Sequence, residues 1–203
     1  MRRLLGLLGI LACGASTPAL ATTFAASVVS VTPGSGPTHP NFDAPLDILG
    51  VPDYADPSST GFGIGAYSLG AAGSITAAMG LLFAGGGTAA PDLFLYEIGP
   101  TFGGSAESTL VEVSIDGVVW SAVGTASGGT SAIDLDAFGF GPSASLGFVR
   151  VTDTTFNAGQ PAGPDIDAIE AVNTVPEPGT GALVIVGLAA AGRRVLVERR
   201  RRN

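Results

Sequence analysis

The sequence contains no lysine, one cysteine and one histidine. Cys13 lies near the N-terminus, so the rest of the chain can form no disulfide framework. His39 alone cannot build a zinc site made of histidines. The body has no lysine or cysteine nucleophile and only one candidate histidine base, so it lacks most of the residues that the common catalytic arrangements use. We therefore expect a protein that is not an enzyme. A secreted hydrolase that uses paired carboxylates is the least favoured alternative.

Charge is also scarce and is unevenly placed. Only 13% of the residues are charged, against about 25% in an average domain. Arg150 is the only basic residue between positions 4 and 192, and every acidic residue except Glu198 lies in that stretch. Its formal charge is therefore about −15. Such a body cannot bind a phosphate backbone, which excludes a nucleic-acid partner, but it can attract cations.

The composition favours short strands over long helices. The chain has 31 glycines, 14 prolines and 46% hydrophobic residues, a balance typical of strands joined by turns. Asp116-Gly117 predicts a hairpin turn. Residues 32–68 are predicted to be irregular. In the segment Ser74–Ala84, the run Ala77-Ala78-Met79 would also be compatible with a helix. The predicted strands are Phe24–Val31, Ser74–Ala84, Asp92–Ile98, Leu110–Ile115, Val118–Val123, Leu146–Thr152 and Asp165–Val172.

These elements predict one all-β domain over residues 22–174. Seven or eight strands without a convincing helix favour an antiparallel β-sandwich with jelly-roll character. A β-solenoid is the second choice, but the sequence has no fixed repeat period.

The first 21 residues have the form of a secretory signal peptide. Arg2-Arg3 is a basic start, Leu4–Ala12 is an apolar run, and Ala19-Leu20-Ala21 is a small-x-small cleavage site with Ala19 and Ala21 as its small residues. The alternative is a lipoprotein signal, in which Cys13 becomes a lipidated first residue. Either form predicts export.

Residues 175–203 have three parts. Val175, Pro176, Glu177 and Pro178 come first, and the two prolines favour an extended backbone. The apolar stretch Gly179–Gly192 follows, which as a helix would span about 21 Å, short of the ~30 Å hydrocarbon core. The arginines at the end should stay in the cytoplasm, so the body would lie outside. They are Arg193, Arg194, Arg199, Arg200, Arg201 and Arg202.

This arrangement resembles the PEP-CTERM sorting signal of Gram-negative bacteria. Thr180, Leu183, Gly187 and Leu188 belong to the resemblance together with the Pro-Glu-Pro motif and the arginine-rich end. The resemblance implies recognition by an exosortase, a membrane enzyme similar to cysteine proteases. It also implies an inner-membrane intermediate, final placement at the cell surface or outside the cell, and association with exopolysaccharide and biofilm. A plain single-span anchor with a proline-rich stalk is the alternative.

The body itself resembles a galactose-binding-like, discoidin-related sandwich. The resemblance implies the fold more than any ligand. It rests on short stretches spread over the body: Leu49–Asp53, Gly73–Thr76, Pro91–Glu97, Val111–Gly117, Phe148–Asp153 and Asp165–Ile169.

The acidic residues suit calcium better than any other cofactor, because calcium takes carboxylate and carbonyl oxygens. Asp165 and Asp167 share one face of a predicted strand, which a sandwich can place near the early loop with Asp47, Asp53 and Asp56. We take Asp47, Asp53, Asp165 and Asp167 as candidate Ca²⁺ ligands, with a solvated acidic face as the alternative.

The sequence predicts the location or contacts of three other side chains. Tyr54, in a loop, is the candidate for an exposed contact with a ligand. Trp120 is expected in the core. Arg150 is expected to pair with acids across the sheet.

Two functions follow from these observations. The first is a structural or adhesive surface protein that is sorted through its tail and associates with extracellular polysaccharide. The second is a calcium-dependent carbohydrate-binding module.

Overall fold

A computed structural model of the chain describes residues 21–36, 41–55, 64–98, 107–155 and 163–175. Over these ranges it contains nine strands and two short 3₁₀ helices. Every pair of neighbouring strands is antiparallel. The prediction of an all-β, antiparallel domain is confirmed.

The strands are as follows: β1 Thr23–Thr32, β2 Tyr67–Ser68, β3 Ser74–Phe83, β4 Leu93–Glu97, β5 Ser108–Ser114, β6 Ser121–Ser127, β7 Ser131–Ile133, β8 Leu146–Asp153 and β9 Asp165–Ala171. The 3₁₀ helices are η1 Pro45–Ile48 and η2 Asp136–Phe138.

The strands form one folded-over sheet in the order β6-β5-β8-β3-β1-β9-β4-β7, with β2 added beside β9. β1 belongs to both layers, because Thr23 and Phe24 pair with β9 while the rest of the strand pairs with β3. The two ends of the order approach each other where the Ser127 amide donates to Ser131 Oγ. The result is a nearly closed antiparallel sandwich.

Alternating side chains fill the space between the layers. In β5, Val111 and Val113 are buried while Leu110 and Glu112 are partly exposed, as a period of two requires. The same alternation places Val149 and Val151 of β8 in the core. In β9 the first five residues are all buried, because β2 and η1 lie against this strand.

The hairpin after β5 differs from the prediction. Its return strand begins at Ser121, and the predicted start at Val118 is wrong. The Asp116 carboxylate accepts the amides of Val118 and Val119, so neither amide is free for the ladder. Trp120 lies just before the strand and is half-buried, with its ring under the Arg150 guanidinium at 4.4 Å. The expectation that Trp120 belongs to the core is wrong.

Candidate metal centre

The candidate carboxylates of β9 lie inside the domain. Asp165 and Asp167 are each only 7% exposed, so the alternative of a solvated acidic face is wrong here. β2 pairs with the strand at its edge, and η1 also contacts it. Two carboxylates in this position need hydrogen-bond partners, and they find them in different places.

Asp167 binds the loop that follows η1. Its Oδ1 accepts the backbone amides of Asp53 at 3.1 Å and Tyr54 at 3.2 Å. Burial raises the pKa of Asp167 and the charge of Asp53 adds to the rise, while the two amides oppose it. Burial likewise raises the pKa of Asp47, with smaller contributions from Asp53 and Asp43. The structure therefore brings Asp47, Asp53 and Asp167 near one another.

Asp165 has a different environment. Its carboxylate accepts the hydroxyl of Ser68, the residue opposite it on β2. Burial raises its pKa to about 6. The four candidate calcium ligands are thus divided between two surroundings, one at the loop after η1 and one at β2.

Tyr54 is half-buried rather than fully exposed. Its ring meets that of Phe42 edge-on, with the centroids 6.3 Å apart. Its backbone amide is also bound by Asp167. Tyr54 therefore helps to fasten the loop after η1 to β9.

Asp165 belongs to a second group of acids, which we call the buried carboxylate group: Glu97, Glu107, Asp153 and Asp165. Burial is the largest cause that raises the pKa of Glu97 to about 7, followed by the charge of Glu107. Burial also raises the pKa of Glu107 to about 7, followed by Asp165 and Asp153. Glu97 and Asp153 are 7% and 1% exposed. The neighbouring acids thus disfavour the ionisation of Glu97 and Glu107.

The tightest set of acids was missed by the sequence analysis. In the part of the chain that the structure describes, one group of acidic, histidine or cysteine side chains has ligand atoms that all lie within 4.8 Å of one another. We call it the three-aspartate cluster: Asp92, Asp134 and Asp136. Asp92 immediately precedes β4. Asp134 follows β7, and Asp136, on the other side of Leu135, is the first residue of η2. Only the pairing of β4 with β7 brings these segments together.

Backbone amides orient the three carboxylates. Asp92 accepts the amides of Gly86 and Leu135, each at 2.8 Å. Asp136 accepts the amide of Gly87 at 2.8 Å, and Asp134 accepts that of Asp136 at 3.0 Å. The cluster is therefore held by the glycine turn after β3 and by its own η2 segment.

Glycine is required where this turn passes the cluster. A Cβ on Gly85 would lie 2.7 Å from Asp136 Oδ2, and a Cβ on Gly86 would lie 2.8 Å from Asn173 Nδ2. The Gly85-Gly86-Gly87 run follows the predicted strand Ser74–Ala84 and was interpreted only as its end. It was the available signal for a close approach of backbone to side chains.

Asn173 completes this corner of the domain. Its side-chain amide donates to Asp92 Oδ1, and the residue is 8% exposed. Its Oδ1 is buried and has no hydrogen-bond partner among the residues that the structure describes. A buried acceptor without a donor is unfavourable in a folded protein, so it needs an explanation.

Other candidate residues fall outside the part that the structure describes. These are Cys13, Ala19, His39, Asp56, Pro176, Glu177, Pro178 and the C-terminal arginines. Ala21 is described and is exposed, and Val175 is described and is half-buried. Among the described residues, no helix is long and apolar enough to cross a membrane.

Comparison with known proteins adds no relative. No family model, curated protein or solved structure matches this chain. Any statement about function therefore rests on the residues and their arrangement.

Proposed function

We propose that this chain is an exported, non-catalytic surface protein of a Gram-negative bacterium, sorted through its C-terminal tail by an exosortase-type enzyme. The proposal rests on the point in the chain at which the described fold ends and the tail begins. The Val175 amide donates to Leu82 O at 2.8 Å. The next residue is Pro176, the first proline of the motif. The motif thus follows the last described hydrogen bond of the domain.

Both ends of the described domain lie at this place. The Thr174 amide donates to the carbonyl oxygen of Ala21, the last residue of the signal peptide as we predict it. A signal peptidase and a sorting enzyme that cut near these points would each act outside the nine strands. Cleavage after Ala21 would remove the bond to Thr174 but leave the strands intact.

The length of the tail supports recognition at the membrane surface. Gly179, where the apolar stretch starts, comes four residues after Val175, a reach of at most about 14 Å. The body would therefore stand close to the outer face of the inner membrane. Pro176 and Pro178 are residue types that favour an extended backbone, which is the backbone shape that a protease site needs.

The body has the properties of a matrix or adhesive component. It is strongly acidic, and Arg150, the one basic residue in the described ranges, is paired with Glu112. Such a surface stays soluble in an open medium. The finer assignment of the sandwich, as a jelly-roll-like relative of discoidin domains associated with exopolysaccharide, belongs to the same proposal.

The test is replacement of Pro176 and Pro178 by alanine. Mass spectrometry of the protein from wild-type cells should find that the signal peptide and the C-terminal tail have been removed, with the C-terminal cut near the motif. If the lipoprotein alternative holds, the same spectrum would show a lipid on Cys13 as the first residue. The double variant should keep residues 179–203 and stay in the inner membrane. Pro52→Ala, a proline in an exposed loop of the body, is the control and should be processed normally. A wild-type protein that keeps its tail, or a variant that reaches the same destination, would contradict the proposal.

A further inference from the structure

We infer that an exposed apolar surface beside the exit of the tail lies against the lipid bilayer while the tail holds the chain. We call this surface the apolar patch: Leu81, Leu82, Ile115, Val118 and Val119. The inference rests on the proposed function, since it takes the tail to enter the inner membrane. It adds which part of the folded body touches the lipid.

The side chains of the apolar patch are unusually exposed. They range from 40% to 77% exposed, and Val118 and Val119 are the most exposed large apolar residues in the described ranges. Single apolar side chains on a surface are common, but several gathered in one place mark an interaction site.

The two segments of the patch meet at Gly147 of β8. A Cβ on Gly147 would lie 3.4 Å from Leu82 Cδ2 and 3.6 Å from Ile115 O. The end of β3 and the β5–β6 hairpin are therefore neighbours on one surface. The half-buried Phe148 extends this surface, because its ring lies 3.6 Å from the position of a Cβ on Gly117 in the hairpin.

The tail leaves the domain at the edge of the patch. Thr174 lies opposite Phe83 at the end of β3, and the Val175 amide donates to Leu82 O at 2.8 Å. Leu82 thus belongs to the patch and also binds the residue that precedes the tail motif. The apolar stretch starts at Gly179, at most about 14 Å further on. A tail that enters the bilayer therefore brings the patch to the bilayer surface.

The hairpin satisfies its own amides at the patch. Asp116 Oδ1 accepts the amides of Val118 at 2.8 Å and Val119 at 3.0 Å, so these exposed valines place no unpaired amide against lipid. Unpaired amides are costly in such a place. A carboxylate is costly within the hydrocarbon as well. Asp116 therefore limits the contact to the headgroup region and the upper part of the acyl chains.

The charge of the body favours lipid over a second copy of the chain as the occupant. That charge is formally about −15, so two copies that met at the patch would repel each other. A zwitterionic lipid surface carries no net charge and exerts no such repulsion.

The experiment places one tryptophan on the patch. The chain with its tail, made in a host without a sorting enzyme, is reconstituted into phosphatidylcholine vesicles. Trp120 is the only tryptophan, so Ile115→Trp in a Trp120→Phe background carries a single probe. The control is Thr32→Trp in the same background, since Thr32 is exposed and lies opposite Ser74, about 25 Å along β3 from the patch. Lipid brominated near the headgroup end of its acyl chains should quench the Ile115 probe several-fold more than the control.

Matched pairs of valines test whether the patch itself makes the contact. Val118→Ser together with Val119→Ser should reduce the quenching of the Ile115 probe several-fold, because two apolar side chains are lost from the contact. Val29→Ser together with Val51→Ser makes the same change at valines that are 55% and 62% exposed elsewhere on the body, and it should leave the quenching unchanged. Equal effects of the two pairs would overturn the inference.

A measurement on the wild-type protein keeps the test valid if a variant does not fold. Ile115 and Ile64 are 62% and 63% exposed, so hydroxyl radicals should oxidise them similarly if neither is covered. In vesicles, mass spectrometry should find Ile115 oxidised several-fold less than Ile64. Equal oxidation of the two isoleucines would count against any contact of the patch with lipid and overturn the inference.

Alkaline extraction of the vesicles tests the sorting proposal separately, because it removes proteins that no segment anchors in the bilayer. If the chain resists extraction and the Ile115 probe is unquenched, the tail is anchored and the inference alone is wrong. A patch covered by the tail or by a second copy gives that result. If the chain is extracted although the probe was quenched, the patch contacts lipid and the anchored tail alone is wrong. Extraction with an unquenched probe would overturn both.

Discussion

At the scale of single residues, Arg150 contacts both an acid and an aromatic ring. Its Nε donates to Glu112 at 2.7 Å, directly across the β5–β8 pair, and its guanidinium covers Trp120. The prediction that Arg150 pairs with an acid across the sheet is confirmed. Since Arg150→Ala would leave Glu112 unpaired and uncover Trp120, we expect it to lower the free energy of unfolding by about 1–2 kcal/mol. Urea unfolding followed by Trp120 fluorescence measures this loss.

A double-mutant cycle separates the two contacts of Arg150. In a Glu112→Gln background the cost of Arg150→Ala should fall, because the charged hydrogen bond is already gone. The remaining cost of Arg150→Ala in this background reports on the contact with Trp120. Arg150→Lys keeps the charge without the planar group, so its cost in the same background should be smaller than that of Arg150→Ala. An Arg150→Ala protein as stable as the wild type would show that neither contact matters.

At the scale of elements, backbone packs directly on backbone where the residues after β1 cross the turn before β3. A Cβ on Gly73 would lie 1.8 Å from Leu69 O and 2.7 Å from Gly34 N. We expect Gly73→Ala to cost about 3 kcal/mol or more, because rigid backbone cannot move aside. Gly50→Ala is the control. Gly50 has a φ of +88°, and no atom of the described ranges lies within 4 Å of an added Cβ, so only conformational strain of about 1 kcal/mol is expected. Thermal unfolding compares the two, and equal losses would contradict the close packing.

The elements also show what a sequence can predict here. β5 and β8 were found because valines recur at every second position, which is a local signal. β2 and β7 have two and three residues, too few to show any period, and were missed. The three-aspartate cluster was missed for another reason: Asp92 and Asn173 are far from Asp134 in the chain, and only the pairing of β4 with β7 and β9 unites them. The burial of Asp167 likewise depends on a loop more than a hundred residues away.

At the scale of the whole molecule, the excess of acid should make stability depend on pH. The buried carboxylate group carries the effect, since the pKa values of Glu97 and Glu107 are raised to about 7 and that of Asp165 to about 6. Between their ordinary values near 4 and these raised values, the folded state binds more protons than the unfolded state. The free energy of unfolding should therefore fall as the pH rises through this window.

We expect the mature protein to melt at a higher temperature near pH 5 than near pH 8. Glu97→Gln should raise the melting temperature near pH 8 and change it little near pH 5, because the amide mimics the protonated acid that the buried site already prefers. Asp43→Asn, which removes one exposed charge, should leave the difference between the two pH values almost unchanged. A melting temperature that is equal at both pH values would contradict the prediction. A pH dependence that Glu97→Gln does not reduce would place its origin in acids other than Glu97.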